Sequence, residues 1–313
     1  MTRAFIFPGQ GSQAVGMGAD LATAFGAAHQ VFEEVDDALG ERLSRLMQGG
    51  PEADLVLTAN AQPAIMAVSI AVVRALEAEL GAPLMTKASF VAGHSLGEWS
   101  ALVAAGALGV ADAARLLRLR GRAMQEAVPV GAGAMTALLG VDAGVAQAIA
   151  AEAALGEVCS VANDNAPGQV VLSGAARAID RAEALAPAKG AKRCVRLTVS
   201  APFHCALMAP AAERVAEALA TQTLRAPAVP VVANATAEPV DQPAAIRRLL
   251  VDQVTATVRW RESVLRLKAA GVATLVELGQ GKVLSGLVKR IDRDLVALSA
   301  ATPAELDAVL ASL

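Results

Sequence analysis

Aromatic residues are scarce in this sequence, and tyrosine is missing altogether. Aromatic residues make up 3% of the 313 residues, whereas 55% of the residues are hydrophobic. Aliphatic side chains must therefore build the core, and the chain is long enough to bury one in one or two domains. Cysteine is also rare. The chain has three, Cys159, Cys194 and Cys205, which is an odd number, and their spacing suggests no pairs. A disulfide framework or a zinc site is therefore not expected, and a reducing cytoplasm fits this usage better.

Two further absences argue against broad classes of function. The chain has no excess of positive charge, since its formal net charge is -3, which argues against general nucleic-acid binding. Its longest apolar run, 64–73, is followed by Arg74 and is far shorter than the ~20 residues that span a bilayer. We interpret this run as a buried helix and expect no membrane segment. The apolar run at 4–7 is likewise too short for a signal peptide.

Short apolar runs alternate with helical patterns along most of the chain. The runs that we predict as strands are 4–7, 89–92, 229–233 and 274–278. Such alternation is typical of an α/β fold with a mostly parallel sheet. Residues 128–200 differ, because their predicted order β-α-β-β-α-β is that of a ferredoxin-like domain. We therefore predict a main domain formed by residues 1–127 and 201–313, with a subdomain inserted at 128–200.

The stretch 93–97, GHSLG, matches the pattern G-x-S-x-G where a predicted strand gives way to a predicted helix. In a nucleophile elbow the serine occupies a tight strand-to-helix turn, and the glycines avoid side chains that would clash there. The free N–H groups at a helix N-terminus also stabilise a developing oxyanion. This context predicts that Ser95 is a nucleophile.

A nucleophilic serine needs a base, and the chain has three histidines. His29 lies in an amphipathic helical pattern, where we expect it to face solvent or to pack. His94 adjoins Ser95, and neighbours on an extended strand point to opposite faces, so we expect a structural role for it. His204 lies where the insert returns to the main domain, a common place for a site. Elimination favours His204 over the other two without excluding them.

The helical segment 115–124, RLLRLRGRAM, has one arginine on its apolar face. At about 100° per residue, Arg120 falls among the leucines. Arg115, Arg118 and Arg122 lie on the opposite side, where we expect solvated charges. Arginine is almost never buried without a partner. Arg120 therefore predicts either a structural ion pair with an internal Asp or Glu, or a binding site for a substrate carboxylate.

The glycine-rich stretch 9–14, GQGSQA, fits the dinucleotide-binding pattern G-x-G-x-x-G/A. That function is disfavoured, because the acidic residues at about the required distance, within 33–37, lie on a predicted helix rather than at the end of a second strand. A P-loop is also disfavoured, since the chain contains no Gly-Lys-Ser/Thr. The alternative is a tight loop that brings the backbone N–H of Gln10 to an oxyanion hole.

Taken together, these motifs and several others resemble the malonyl-CoA:acyl-carrier-protein transacylases of fatty-acid synthesis along nearly the whole chain. The matching stretches are FPGQGSQ at 7–13, GHSLGE at 93–98, RGRAMQ at 120–125, NDNAPGQVVLSG at 163–174, PFHCALM at 202–208, Gln253, and ELGQGKVLSGL at 277–287. The resemblance implies an α/β fold with an α/β-hydrolase-like core, a mostly parallel sheet and an inserted ferredoxin-like subdomain. This agrees with the pattern of predicted strands and helices.

The resemblance also implies a role for individual residues. Ser95 would be the nucleophile and His204 its base, without an essential acid. Arg120 would pair with the free carboxylate of the malonyl group, and the backbone N–H groups of Gln10 and Leu96 would form the oxyanion hole.

Three further residues are carried over by the resemblance. Gln253 would orient the site, with a backbone carbonyl of this region holding the histidine ring. Asn163 matches a residue at the entrance of the family's active site. Phe203 resembles the malonyl-selecting version of its segment, which should disfavour branched extenders such as methylmalonyl.

The implied reaction is ping-pong transfer of malonyl from malonyl-CoA to the phosphopantetheine thiol of an acidic acyl carrier protein, through a malonyl-serine ester. It needs no metal and no cofactor, and we expect a monomer. Basic residues near the expected cleft are candidates for a docking patch, although each one taken singly is at least as well explained as solvated surface charge. They are Lys192, Arg193, Arg196, Lys282, Lys289 and Arg290.

Three other functions compete with this interpretation. A serine esterase or thioesterase would share the elbow, although hydrolysis of neutral esters does not need the buried cation predicted at Arg120. An acyltransferase that serves a polyketide carrier would use the same chemistry. A catalytically inactive scaffold that binds carrier protein would have no need for intact Ser95, His204 and Arg120.

Overall fold

Two separate β-sheets organise the chain, whose computed structural model describes residues 2–313. The main sheet has six strands in the order β10-β9-β1-β2-β7-β8. They are β1 (Thr2–Phe7), β2 (Phe90–Gly93), β7 (Val231–Val232), β8 (Pro239–Val240), β9 (Val272–Leu278) and β10 (Val296–Ala300). Every neighbouring pair is parallel except β7 and β8. The predicted α/β fold with a mostly parallel sheet is confirmed.

The central strand β1 explains why this sheet is covered on both faces. Its residues Ala4, Phe5, Ile6 and Phe7 are all completely buried. Side chains alternate across a strand, so Phe5 and Phe7 enter one hydrophobic core while Ala4 and Ile6 enter another. A continuous apolar run is therefore required here, rather than an alternating one.

Helices flank the main sheet on both sides and also cover the second sheet. The helices are α1 (Ala19–Ala24), α2 (Gly26–Leu39), α3 (Leu43–Gly49), α4 (Glu52–Leu55), α5 (Thr58–Leu80), α6 (Leu96–Ala104), α7 (Val110–Glu126), α8 (Ala143–Ala154), α9 (Ala176–Leu185), α10 (Ala209–Ala220), α11 (Pro243–Asp252), α12 (Trp260–Ala269), α13 (Val283–Ile291) and α14 (Pro303–Leu310). Short 3₁₀ turns lie at Leu84–Lys87, Ala186–Lys189 and Ala206–Met208.

The apolar run 64–73 lies in α5 and is buried along its whole length. This confirms its interpretation as a buried helix. Across residues 2–313, no helix combines the length and the apolar character needed to cross a membrane.

The second sheet is antiparallel and lies entirely within 128–200, where we propose the inserted subdomain. Its strand order is β4-β5-β3-β6. The strands are β3 (Gly133–Leu139), β4 (Cys159–Ala166), β5 (Gln169–Ala175) and β6 (Arg193–Arg196). With α8 after β3 and α9 after β5, this is the predicted β-α-β-β-α-β arrangement. A parallel bridge between Asn163 and Val258 joins β4 to the segment before α12.

Two strands of the main sheet were missed by the sequence analysis. The last predicted strand is 274–278, whereas β10 follows α13 and pairs with β9. β10 is an edge strand with one fully buried residue, Ala300, so it lacks the long apolar run of β1. β8 has only two residues, which is too short for any periodic pattern to be read.

Candidate active site

Ser95 occupies a sharp turn between β2 and α6. Its backbone has φ 53° and ψ -108°, in the positive-φ region that is uncommon for residues other than glycine. The flanking glycines make the turn possible. A Cβ on Gly93 would lie 2.0 Å from the Gly97 carbonyl oxygen, and a Cβ on Gly97 would lie 2.2 Å from the Phe7 carbonyl oxygen. The strand-turn-helix arrangement predicted around Ser95 is therefore present.

Asn234, shortly after β7, ties this turn to the neighbouring strand. Its Oδ1 accepts the Ser95 N–H at 2.7 Å, and its Nδ2 donates to the Gly93 carbonyl oxygen at 2.7 Å. Asn234 is completely buried, so both bonds lie away from competing water. One amide side chain therefore holds the backbone on both sides of His94.

Ser95 and His204 form a hydrogen-bonded pair. Ser95 Oγ lies 2.8 Å from His204 Nε2, and His204 Nδ1 lies 2.9 Å from the Gln253 carbonyl oxygen. A carbonyl oxygen only accepts, so Nδ1 carries the proton and Nε2 is free to accept from the serine. Burial, and after it the charge of the nearby Arg120, lower the pKa of His204 to about 3. The imidazole is therefore neutral at physiological pH, as a general base must be.

The other two histidines are outside this pair. His94 Nε2 lies 2.8 Å from Asn165 Oδ1, and its ring packs against Trp260 with a centroid distance of 5.8 Å. His29 is on α2, where its exposed side chain lies 3.5 Å from Glu33. Both placements agree with the expected supporting and surface positions.

Arg120 lies beside Ser95 Oγ, is 1% exposed, and is held by neutral acceptors. Its Nη1 donates to Gln62 Oε1 at 2.7 Å, and its Nη2 donates to Gln253 Oε1 at 3.0 Å and to Ser95 Oγ at 3.0 Å. Burial lowers its pKa to about 10, and the charge of Glu98 opposes that shift. The guanidinium therefore remains charged at neutral pH.

Among the described residues, no carboxylate pairs directly with Arg120. Within residues 2–313 none of its nitrogens forms a salt bridge, and its buried Nε has no hydrogen-bond partner. Of the two interpretations of Arg120, the structural ion pair with an internal acid is therefore not observed. The arrangement leaves a buried, positively charged group next to Ser95 Oγ.

The prediction that Arg118 is a solvated charge is wrong. Arg118 is 8% exposed, and its guanidinium donates to Glu41 and to the side chain of Asn60. Arg115 and Arg122 are exposed as predicted. A helical wheel orders residues around α7 but does not show that the segments around Glu41 and Asn60 cover part of its polar face.

Gln10 and Leu96, whose backbone N–H groups are the predicted oxyanion donors, both line the cavity that Ser95 faces. Within residues 2–313, neither of them donates a hydrogen bond to another protein group. The loop that carries Gln10 packs closely on the elbow, because a Cβ on Gly9 would lie 2.6 Å from the His94 carbonyl oxygen. Two unused donors near the nucleophile are what an oxyanion hole requires.

Hydrogen bonds also connect Arg120 to the Gln10 loop. Gln62 accepts from Arg120 through Oε1 and donates through Nε2 to Thr58 Oγ1 at 2.9 Å. Thr58 in turn donates to the side-chain oxygen of Gln10 at 2.9 Å. The N-terminal turns of α5 therefore join the buried cation to the loop beside the nucleophile.

These groups face a cavity of about 630 Å³ between the two sheets, a volume typical of a small-molecule site. The predicted residues that line it are Gln10, Ser95, Leu96, Arg120, Asn163, Phe203 and His204. Gln253 is completely enclosed behind Arg120 and Ser95 and does not line the cavity. Within residues 2–313, no cluster of three or more His, Cys, Asp or Glu side chains is arranged to hold a metal.

The sequence analysis assigned no role to three buried polar residues at this site. They are Gln62, Glu98 and Asn234. Glu98 is 2% exposed, and burial raises its pKa to about 7. Two of the three could have been found from the sequence. Glu98 is the single acid in the apolar helix α6, and Asn234 closely follows a parallel strand. Gln62 stands next to the apolar run of α5 and carries no comparable signal.

The six basic residues proposed for docking are all exposed. Arg196 pairs with Asp180 at 2.9 Å and Lys282 with Glu305 at 2.7 Å. The other four, Lys192, Arg193, Lys289 and Arg290, form no salt bridge within residues 2–313.

Two of the unpaired basic residues lie beside the turn between β4 and β5. Arg290 donates to the Gln169 side chain and to the Pro167 carbonyl oxygen. Lys192 packs on Gly140, whose N–H donates to the Gly168 carbonyl oxygen at 2.9 Å. Lys192 and Arg290 therefore share one part of the surface.

Comparison with known proteins adds an independent line of evidence. The acyl transferase domain family matches residues 4–298. A curated relative, the malonyl CoA-acyl carrier protein transacylase of Escherichia coli K12, is 48% identical over 309 residues, which cover 98% of each chain.

Solved structures agree with this match. The acyl-carrier-protein S-malonyltransferase of Bartonella henselae is 54% identical and superposes with a TM-score of 0.97, covering 100% of this chain and 99% of that one. A malonyl-transacylase solved in complex with a type II PKS acyl-carrier protein is 45% identical, with a TM-score of 0.96 and full coverage of both chains.

Proposed function

We propose that this chain, which belongs to the malonyl-CoA:acyl-carrier-protein transacylase family, transfers malonyl from malonyl-CoA to the phosphopantetheine thiol of an acyl carrier protein. The reaction would supply extender units for fatty-acid synthesis. The observation that carries the proposal is the buried Arg120, whose Nη2 lies 3.0 Å from Ser95 Oγ and which has no carboxylate partner within residues 2–313. For this role we propose a cytoplasmic location, in keeping with the odd number of cysteines.

The first half-reaction acylates Ser95. As Oγ attacks the thioester carbonyl carbon, its proton passes to His204 Nε2, and the carbonyl oxygen becomes an oxyanion that the N–H groups of Gln10 and Leu96 stabilise. The tetrahedral intermediate then collapses, the C–S bond breaks, and the imidazolium returns the proton to the coenzyme A thiolate. The hydrogen bond from Arg120 to Ser95 Oγ supports this step, since a cationic donor stabilises negative charge that develops on that oxygen.

The second half-reaction regenerates the serine. The carrier's thiol gives its proton to His204 Nε2 and attacks the malonyl-serine ester, with the oxyanion in the same hole. Collapse breaks the ester bond, His204 protonates Ser95 Oγ, and malonyl-carrier protein leaves. The Gln253 carbonyl keeps the proton on Nδ1 throughout, so one nitrogen of His204 serves both halves.

Arg120 would select the malonyl group. A carboxylate next to the buried guanidinium forms charge-assisted hydrogen bonds, whereas an acetyl group leaves the cation buried and unpaired. Gln62 and Gln253 hold Arg120 through amide oxygens, which fix the guanidinium without neutralising it. A hydrolase of neutral esters would have no use for this charge. Phe203 and Asn163, which line the same cavity, would limit the size of the acyl group and contact the incoming thioester.

The carrier protein would dock on the basic surface near the turn between β4 and β5. Lys192, Arg193, Lys289 and Arg290 are exposed and free of salt bridges within residues 2–313, so they are available to an acidic partner. β6 leads directly from this surface into Leu197–Ser200, which lines the cavity. All residues of the site belong to one chain, and we propose that the enzyme acts as a monomer.

A carrier of a polyketide synthase is the second candidate acceptor. It is favoured by the similarity to the malonyl-transacylase solved with a type II PKS carrier. The chemistry at Ser95 is the same in both cases. Rates of malonyl transfer to a purified fatty-acid carrier and to a purified polyketide carrier, at equal concentrations, distinguish them.

Intact-protein mass spectrometry tests the proposed reaction. Wild type and Ser95→Ala are incubated briefly with malonyl-CoA, and holo carrier protein is then added. We expect a malonyl adduct on the wild type alone, and its transfer to the carrier. Free malonate without an adduct would indicate a hydrolase, and an inert wild-type protein would indicate a scaffold.

The docking surface has its own test. Lys192→Glu combined with Arg290→Glu should slow the carrier-dependent loss of the adduct more than its formation from malonyl-CoA, and added salt should reduce the difference. Lys87→Glu is the matched control, because Lys87 is exposed at the amino-terminal end of β2, opposite to Ser95. Equal effects of the two changes would contradict this surface.

A further inference from the structure

Glu98 is a buried acid that the reaction proposed above does not use. It lies in the first turn of α6, and its N–H donates to the Ser95 carbonyl oxygen at 3.1 Å. Within residues 2–313, no cation forms a salt bridge with it, so a carboxylate is retained in the core without a direct counter-charge. Such a group is costly unless hydrogen bonds satisfy it.

A single oxygen of Glu98 holds two parts of the site. Oε2 accepts the N–H of Asn234 at 2.9 Å and the side-chain Nε2 of Gln253 at 2.8 Å. Gln253 Nε2 also donates to the Ser95 carbonyl oxygen at 3.0 Å. Both hydrogens of that amide nitrogen are therefore committed to oxygen acceptors on the side of the elbow.

The chemistry of these partners fixes which way the Gln253 amide points. Glu98 and the Ser95 carbonyl offer acceptors, whereas Arg120 offers only donors. A flipped amide would face its oxygen toward two acceptors and its NH₂ group toward a guanidinium. The observed orientation therefore follows from the two acceptors, of which Glu98 Oε2 is the nearer, and it presents Gln253 Oε1 to Arg120 Nη2 at 3.0 Å.

We propose that Glu98 is a positioning residue for malonyl selection, which orients the Gln253 amide and thereby holds Arg120 beside Ser95. The inference rests on the proposed function, because it assigns Arg120 to the malonyl carboxylate. It also explains why the acid is set apart from the cation. Gln253 stands between the carboxyl group and the guanidinium, so Glu98 supports Arg120 without occupying the place of the substrate carboxylate.

The proposal is tested with three variants of Glu98 in a competition between malonyl-CoA and acetyl-CoA. Glu98→Gln keeps an acceptor oxygen on a side chain of the same length. Glu98→Asp keeps the carboxyl group on a side chain that is one methylene shorter, and Glu98→Met has a similar volume but no acceptor oxygen. The ratio of malonyl to acetyl adducts on Ser95 is measured by intact-protein mass spectrometry. A fault in the fold or the elbow lowers both adducts together, whereas a misplaced Arg120 lowers the ratio.

We expect the ratio to fall about tenfold or more in Glu98→Asp and Glu98→Met, in line with the loss of a hydrogen bond to a charged group. It should not fall in Glu98→Gln. Glu277→Asp is the matched control, because Glu277 is a completely buried acid that accepts two N–H groups of α13 and bonds to no residue of the site. It should lower the melting temperature and leave the ratio unchanged.

The possible outcomes distinguish a failure of the Glu98 role from a failure of the proposed malonyl transfer. A wild-type ratio in Glu98→Asp, or an equal fall in Glu98→Gln and Glu98→Asp, would overturn the positioning role. Glu98→Asp retains a carboxylate and decides the matter even where Glu98→Met does not fold. A wild-type protein that forms no malonyl adduct at all would instead overturn the proposed function.

Discussion

Replacing Arg120 by alanine tests its proposed role in the selection of malonyl over acetyl. Arg120 is 1% exposed, so a malonyl carboxylate bound to it would be withdrawn from water. Removing one partner of a buried charge pair costs about 3–5 kcal/mol. Since about 1.4 kcal/mol corresponds to a factor of ten, the preference for malonyl over acetyl should fall by about a hundredfold to a few thousandfold.

Absolute rates alone would not test this reasoning. Arg120 Nη2 also donates to Ser95 Oγ, so Arg120→Ala is expected to slow acylation by both substrates. The ratio of malonyl to acetyl adducts cancels that common loss. It is best obtained from one sample containing both thioesters, quenched early and read by intact-protein mass spectrometry.

A control on the same helix checks that the effect is local. Arg122 is exposed and does not line the cavity, so Arg122→Ala should keep the wild-type ratio. If Arg120→Ala lowered total acylation while the ratio stayed at the wild-type value, Arg120 would not recognise the carboxylate. The buried cation would then act only on the serine.

Three further changes have expected outcomes. Burial raises the pKa of Glu98 from 4.5 to about 7, so its contribution to the free energy of unfolding is fully present below about pH 4.5 and is lost as pH rises through about 7. Between about pH 5 and about pH 8, measured by urea unfolding, the free energy of unfolding should therefore fall less in Glu98→Gln than in the wild type. Equal falls in the two proteins would contradict the titration of a buried Glu98. Gly97→Ala places a Cβ against backbone and should abolish acylation and lower the melting temperature, while Gly286→Ala, which meets nothing within 4 Å, should do neither; an active Gly97→Ala enzyme would show that the elbow tolerates a side chain. Phe203→Ser enlarges the cavity and should raise the use of methylmalonyl-CoA relative to malonyl-CoA, measured by adduct ratio, and an unchanged ratio would remove Phe203 from acyl selection.

The sequence was most informative where a function depends on neighbours along the chain. The elbow at Ser95 needs two glycines and a strand-to-helix transition, all within a few residues, so a short pattern reveals it. The position of Arg120 follows from the period of one helix. In both cases the local sequence determines the geometry.

The sequence was least informative where a residue acts through tertiary contacts. Asn234 reaches Ser95 only because β7 pairs with β2, and Gln62 reaches Arg120 only because α5 packs beside α7. Arg118 was wrongly expected to be solvated for the same reason. Hydrophobic periodicity and motif spacing do not show which helix or strand packs against which other. The contacts of these side chains could therefore be seen only in the structure.

The position of β1 in the main sheet has a consequence for the order in which the chain assembles. β1 pairs with β9 through contacts such as Ala4 with Leu275, which join nearly opposite ends of the sequence. Contacts that close such long loops form slowly, whereas the second sheet joins segments that are close along the chain. During synthesis, the edge of β1 that pairs with β9 therefore stays unpaired until β9 has been made. An unpaired apolar strand edge favours aggregation of a nascent chain. The turn at Ser95 is held by Asn234 from the later half of the chain, so we expect it to take its final form only late in this process.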